Sequence, residues 1–402
     1  MEMRKRFTLR PDIFLWINND SGLIYNSKNF TSFQFVITPS LKELCLKLLN
    51  PDNLYSVEIE LDNLSPEVSN FIENTKKNGM SYMSEGEKGK HLISFPPLLN
   101  IQRSWERIKH LGEDAFREIL PYLSSVTIYT GGTCISNSYY KQTIYPINSK
   151  EILDAEKILG FLSSLNSPYI TETNIVFSSA SDYMGFELLL SGLKHYGESV
   201  VLYFRADDTI TSRIKELNSF KICLLHRGNP KGCLPELCLS KASHKCLVSS
   251  EKEYQESLSW AKDKCIEAMD IIPVFDGFNK DFFYNYVFLS KQDILSSKLN
   301  RRNVFSHMAL NINTFGKIAV MPNGKVYANL LGQSIGDLTT TVYNLIQAEL
   351  SQNTSWRRTR DHLAYCHSCL FRYLCPSPTQ YEVLMGENCI CKETKGGVSP
   401  IE

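Results

Sequence analysis

Cys366-His-Ser-Cys369-Leu-Phe-Arg-Tyr-Leu-Cys375-Pro376 is a C-x2-C-x5-C-P run, and Cys389 and Cys391 follow it. Two cysteines three apart wrap a single tight turn and present both sulfurs to one metal. Two further sulfurs complete a tetrahedron or the corners of a cubane. Bound metal lowers the thiol pKa, so the ligating form is the thiolate. Five of the chain's 12 cysteines (Cys366, Cys369, Cys375, Cys389, Cys391) fall in this short tail, a crowding that calls for a chemical reason. On spacing alone three readings stand open: an iron–sulfur cluster, structural zinc, and reduced cysteines packed for bulk.

Upstream of the cysteines, Leu338–Leu350 reads as a helix. Before it, Ile318-Ala-Val320 and Lys325-Val-Tyr327 flank Asn323-Gly324, a hairpin turn signal. Further back, short apolar runs alternate with helical stretches. The strands are Val126–Tyr129, Asn174–Phe177, Val200–Phe204, Lys221–Leu225, Lys245–Val248 and Ile271–Phe275. Between them Ile152, Ala155, Leu159 and Leu162 recur at helical spacing, and Phe186–Leu193 and Ile210–Leu217 read as helices. Such alternation implies βαβ crossovers and a mostly parallel sheet, here an open, partial (β/α) barrel.

The N-terminal stretch has a different pattern. Ile13-Phe-Leu-Trp-Ile17 is β-rich and ends on Asn18-Asn-Asp-Ser-Gly22, strong turn chemistry. Leu23–Tyr25 and Ser32–Ile37 are extended. Thr38-Pro39-Ser40 then caps a helix whose stripe is Leu41, Leu44, Cys45, Leu48 and Leu49, and Tyr55, Val57, Ile59 and Leu61 alternate like a half-buried strand. Three units follow: residues 1–85, a small α+β unit; 86–302, the partial barrel; and 303–402, the cysteine-bearing unit.

Composition bounds the function. The chain has 402 residues, 43% hydrophobic and 21% charged, with Lys plus Arg equal to Asp plus Glu at 43 each. That balance gives no electrostatic reason to expect nucleic acid or an anionic membrane as partner. Phe7–Ile17 is interrupted by Arg10, Pro11 and Asp12, and no run is apolar enough to span a bilayer. A cytoplasmic location is expected, which argues against a disulfide framework. Cys45, Cys134, Cys223 and Cys265 are isolated and expected to be buried as small apolar residues.

The stretch Phe315–Lys392 resembles a SPASM domain, the C-terminal extension of many radical SAM enzymes that modify peptides. The family pattern is C-x(9–15)-G-x4-C, then C-x2-C-x5-C-x3-C, then a last cysteine. Gly324 matches the glycine, Cys366, Cys369 and Cys375 match the next three retained cysteines, and Cys391 the last, with Cys389 as alternative. Asn329 and Thr379 stand where two other cysteines belong, and residues 308–314 hold no first cysteine. The resemblance implies that the three missing residues would serve one auxiliary cluster and the retained four the other. One [4Fe–4S] cluster on Cys366, Cys369, Cys375 and Cys391 is expected, with zinc as the alternative.

A radical SAM enzyme carries C-x3-C-x2-C after its first barrel strand, three thiolates for the cluster that chelates S-adenosylmethionine. After Val126–Tyr129 this chain has Gly131-Gly132-Thr133-Cys134-Ile-Ser-Asn-Ser138-Tyr-Tyr-Lys141-Gln142. Only Cys134 is a cysteine. Serine is a poor iron ligand and lysine a worse one. The glycine-rich turn expected after the second strand is replaced by Ser178-Ser-Ala-Ser-Asp182. No functional S-adenosylmethionine site and no catalytic residue are expected.

Nearly end to end, the chain resembles the pseudo-radical-SAM/SPASM proteins of Bacteroidales peptide-modification systems with Gly-Gly-type precursors. The matching features are Leu23-Ile-Tyr-Asn26, Tyr140-Lys-Gln142 and Tyr381-Glu-x3-Gly386. The resemblance implies a non-catalytic maturation partner of a ribosomally made peptide, acting with the precursor's leader peptide and an active radical SAM enzyme. Residues 1–85 resemble a winged-helix-type peptide-recognition element. The alternatives are a redox partner of a radical SAM enzyme and a zinc-stabilised adaptor.

Lesser motifs have plainer readings. Cys233, Cys238, His244 and Cys246 have metal-ligand spacing, but Cys246 reads as strand core and the others as loop. Gly131-Gly132 reads as a plain turn, Trp356-Arg-Arg358 as an exposed helix end, and Asp207-Asp208 as the N-cap of a following helix.

Overall fold

A computed structural model describes residues 4–85, 116–134, 138–165, 167–210, 217–228, 241–352, 355–386 and 390–392. Two small antiparallel sheets open the chain. One, in the order β5-β1-β6, joins β1 (Arg4–Leu9), β5 (Ser56–Glu60) and β6 (Ser81–Glu85). The other is a meander of β2 (Ile13–Ile17), β3 (Ser21–Asn26) and β4 (Ser32–Val36). Asn18 makes the β2–β3 turn, its Oδ1 accepting the Asp20 and Ser21 N–H groups at 3.1 and 2.9 Å.

Helix α1 (Pro39–Leu49) starts where the sequence says: Thr38 accepts the Leu41 N–H and Pro39 occupies the first turn. Helix α2 (Pro66–Lys77) repeats the device with Ser65 and Pro66. Their buried faces, with Phe7 and Leu9 of β1, close a core that also takes Ile13, Leu15 and Ile24. The period of two in β2 sends its other residues elsewhere. Phe14 and Trp16 pack with Phe371, Leu374 and Cys375, so one strand ties the N-terminal core to the cysteine corner. Trp16 lies 5.8 Å from the Tyr373 ring, and Tyr25 donates its hydroxyl to Leu299 O at 2.7 Å.

The large sheet has nine strands in the order β14-β13-β12-β11-β10-β7-β15-β16-β17. β7 (Ser125–Tyr129), β10 (Glu172–Val176), β11 (Val200–Arg205), β12 (Lys221–Arg227), β13 (Ser243–Val248) and β14 (Met269–Pro273) are parallel and lie in chain order. That is the expected parallel α/β sheet. Helices Ala155–Leu165 and Phe186–Leu193 cover one face, burying Ile158, Phe161 and Leu189 against Ile175, Phe177 and Leu202. β15 (Lys317–Val320) pairs in parallel with β7 on its free side, and β16 (Lys325–Tyr327) and β17 (Gly336–Asp337) extend the sheet antiparallel. The Asn323-Gly324 hairpin is present, with Gly324 at φ 78°.

Several local expectations need correction. Gly131-Gly132 is a two-residue strand, β8, bridged to β9 (Ser149–Ile152), with φ of 77° and 103° that a side chain would resist. Trp356 is wholly buried: its indole donates to Lys317 O at 3.0 Å, so β15 and the Val342–Gln352 helix close over it. Cys265 is exposed, because at φ 51° it forms the left-handed turn that ends the Glu251–Asp263 helix. Cys45, Cys134 and Cys223 are buried as expected. Among the described residues no helix is long and apolar enough to cross a membrane.

Candidate metal centre

Cys366, Cys369 and Cys375 lie in consecutive tight turns between the 3-10 turn Arg360–His362 and the helix Gln380–Leu384. The Cys366 N–H donates to Leu363 O, the Cys369 N–H to Cys366 O and the Cys375 N–H to Phe371 O, each at 2.9 Å. Cys391 arrives from the other side of the chain. The Leu289 N–H donates to Ile390 O at 2.7 Å and the Lys392 N–H to Leu289 O at 3.0 Å, a parallel bridge that sets Cys391 against Leu363 and Cys366. Cys366 and Cys375 are buried, and Cys369 and Cys391 are half-buried. Cys389 lies outside the described residues.

Arg360 is the residue that spacing did not reveal. It is 1% exposed and forms a two-point ion pair with Glu382, 2% exposed, at 2.6 and 3.3 Å. Its Nε donates to Pro376 O at 2.7 Å, and its Nη1 stands 4.0 Å from Cys366 Sγ. Burial works against the guanidinium charge, but Cys375, Glu382 and Cys366 outweigh it and hold the group above its ordinary value. Glu382 is placed by a capping box, accepting the Thr379 N–H at 2.7 Å and its hydroxyl at 2.9 Å. The Thr379-x-x-Glu382 spacing was the available signal for the acid. Nothing in the sequence singled out its partner.

These residues fit a thiolate-bound metal in donor type and in charge. Four thiolates around zinc or a [4Fe–4S] core leave net negative charge, and a buried cation shared by two of the cysteines favours the thiolate form. Among the described residues no group of three or more His, Cys, Asp or Glu side chains is placed to hold a metal ion. The fold brings Cys366 to Cys391, and Cys366 and Cys375 to Arg360.

The second place of interest is the face of the sheet opposite the helices, at the strand ends where the segment after β7 lies. Cys134 is buried, its N–H donating to Asn148 Oδ1 at 3.3 Å, and burial raises its thiol although Ser178 and Arg205 pull the other way. Gln142 makes a reciprocal pair with the Phe275 backbone: Nε2 donates to Phe275 O at 2.8 Å and Oε1 accepts the Phe275 N–H at 2.7 Å. The segment after β7 is thereby stitched to the segment after β14, the far strand of the parallel set. Beneath the stitch, Tyr139, Tyr145 and Ile147 pack on Tyr129, Tyr203 and Leu225. Lys141 is half-buried, and the Ser138 side chain lies outside the described residues.

Of the remaining motifs, Asp208 accepts the Ile210 N–H at 3.0 Å and the distant Ala180 N–H at 2.9 Å, and Asp207 pairs with Arg205, while residues 211–216 of the helix expected to follow lie outside the described residues. His244 is not in a loop. It is buried on β13 beside His226 of β12, with 2.9 Å between Nε2 of His226 and Nδ1 of His244, under the Trp260 ring. Burial, then His244, lowers the His226 pKa to about 3. Cys246 is strand core as expected, and Cys233 and Cys238 lie outside the described residues.

A third feature is a groove of about 560 Å³ on the N-terminal unit. It runs between the outer strand β5 (Val57, Ile59) and α1 (Leu44, Lys47), with Val68 of α2 at its end. β5 pairs only with β1 among the described residues, so its second edge has no strand partner among them.

No protein-family model matches the chain, and no curated protein matches it. Among solved structures it is similar to Streptococcus suis SuiB bound to S-adenosylmethionine, with 10% identity and TM-score 0.45 over 98% of this chain and 100% of that one. SuiB bound to the precursor peptide SuiA gives 11% identity and TM-score 0.46 over 96% and 98%. Native anSMEcpe with bound AdoMet gives 15% identity and TM-score 0.42 over 62% and 87%.

Proposed function

We propose that this protein is a non-catalytic, pseudo-radical-SAM partner in the maturation of a ribosomally synthesised peptide, carrying one [4Fe–4S] cluster on Cys366, Cys369, Cys375 and Cys391. The observation that carries the reading is the Gln142–Phe275 pair. The segment that would hold three cluster thiolates holds Cys134 alone, and it is fastened across the strand ends over a layer of tyrosines. Two hydrogen bonds to Phe275 thus hold that segment in a place where a cluster loop would need three thiolates. When bound, the cluster supplies a rigid four-point cross-link whose binding energy is folding energy. Arg360 balances its charge, and Glu382 keeps Arg360 in place.

The three units then divide the work. Residues 86–302 are a scaffold, and residues 303–402 form the cluster unit. Residues 1–85 hold the precursor's leader, which adds as a strand on β5 with its apolar side chains in the groove against α1. An outer strand supplies main-chain hydrogen bonds, and Leu44, Val57 and Ile59 supply selectivity. A labelled leader titrated onto the full chain tests this role. Binding that Leu44→Asp abolishes while circular dichroism shows the fold retained supports it. Failure to bind, at concentrations where the active enzyme of the same system binds the leader, removes it.

A further inference from the structure

Below the tyrosine layer, toward the N-terminal ends of the strands, the face of the sheet opposite the helices turns polar. Ser125 and Thr127 of β7, Glu172 and Asn174 of β10, Lys245 of β13 and Lys317 of β15 line a cavity of about 380 Å³. Register puts them side by side: Ser125 lies opposite both Glu172 and Lys317, and Thr127 opposite Asn174.

Asn174 is wholly buried. Its Nδ2 donates to Glu172 Oε1 at 2.6 Å and reaches Thr127 Oγ1 and Ser125 Oγ at 3.4 and 3.5 Å. A carboxylate only accepts, so the nitrogen end of the amide must face Glu172. That leaves Oδ1 as a buried acceptor with no partner among the described residues. A second one lies on the same cavity, Gln380 Oε1. Native folds rarely leave such acceptors unmade, and two on one cavity mark a place that expects N–H or O–H donors.

The charge around them is one-sided. Lys141 and Lys317 line the cavity and form no ion pair among the described residues. Lys245 has only a loose contact with Asp270 at 4.0 Å and lies 5.6 Å over the Tyr203 ring. Three ammonium groups thus face one carboxylate, Glu172, which already accepts from Asn174 and Ser125. The complement is a molecule with a carboxylate at one end and N–H donors beside it.

We propose that this cavity binds an amino-acid carboxylate unit, either a free amino acid or the C-terminal residue of a peptide. Its carboxylate lies toward Lys317 and Lys245, and its N–H groups toward Asn174 and Gln380, directly or through one water. The inference stands apart from the proposed function, since a catalyst with this cavity would bind the same unit.

The test is saturation-transfer NMR and calorimetry on the full-length protein with three probes: alanine, N-acetyl-dialanine, and the C-terminal amide of the latter. Lys317 is exposed at the start of β15, so Lys317→Met leaves the fold intact, and Gln380→Leu serves as the second variant. At least one free acid should bind and the amide should not. Lys317→Met should weaken binding about tenfold, the loss of one charge-assisted hydrogen bond. Binding of alanine assigns the free amino acid as the ligand; binding of the acetylated acid alone assigns a peptide terminus. No binding of either acid at millimolar concentration, binding of the amide equal to the acids, or unchanged affinity in both variants overturns the proposal.

Discussion

Arg360 and Glu382 meet at 2.6 Å with both side chains shut away from solvent, and the same guanidinium nitrogen stands 4.0 Å from Cys366 Sγ. Glu382, Cys366 and Cys375 share this one buried cation, and removing any of them changes the charge balance of the cysteine corner. Deleting one partner of a buried pair strands the other charge, at a cost of about 3–5 kcal/mol. Glu382→Ala should lower unfolding stability by about that amount, read by denaturant titration, and should weaken the corner's hold on metal. Glu382→Asp, which keeps the charge, should recover part of both. Equal stability of Glu382→Ala and wild type would show that the pair does not organise this corner.

The cysteine set has its own test. Anaerobic purification should give a brown protein with about four irons per chain. Cys366→Ser and Cys369→Ser should lose the iron and destabilise the C-terminal unit, whereas Cys134→Ser should keep both. A colourless protein with about one zinc per chain would leave the ligands standing and replace the metal.

Gln142 fastens the segment after β7 to that after β14 through two hydrogen bonds to Phe275. Gln142→Leu should cost roughly 1–3 kcal/mol and raise amide exchange in residues 138–147 well above that of the sheet. Unchanged exchange would mean that the tyrosine packing alone holds the segment.

Much of this architecture was readable in advance, for identifiable reasons. Val126–Tyr129, Asn174–Phe177 and Val200–Phe204 are short β-branched and aromatic runs bounded by turns, and all three lie in the parallel sheet. Thr38-Pro39 is a local capping signal, and it caps α1. Trp356 reads as a surface residue from sequence because its neighbours Arg357 and Arg358 are charged. Its burial is decided by β15, nearly forty residues away in sequence, and by Glu349, whose Oε1 accepts the Trp356 N–H at 2.8 Å. Arg360, Asn174 and the His226–His244 pair escaped for the same reason. Each acquires meaning only from a partner on another strand or turn.

Glu349 makes the fold pH-sensitive. It is wholly buried, and burial pushes its carboxyl up to about 7, against the pull of the Trp356 and Ser355 N–H groups and Arg357. A carboxyl that binds its proton more tightly folded than unfolded contributes stability that is full below its unfolded value of 4.5 and lost as pH rises through about 7. Wild-type stability should therefore fall from about pH 5 to about pH 8 relative to Glu349→Gln, by roughly 1–3 kcal/mol. Parallel pH profiles for the two proteins would place the titration elsewhere.

The most direct measurement is 5′-deoxyadenosine formation from S-adenosylmethionine with dithionite, on protein whose cluster has been reconstituted anaerobically. With Cys134 alone where three thiolates are needed, and Gln142 holding the segment after β7 to Phe275, no product should accumulate above the protein-free control. Product in stoichiometric excess over the chain would contradict the non-catalytic reading outright.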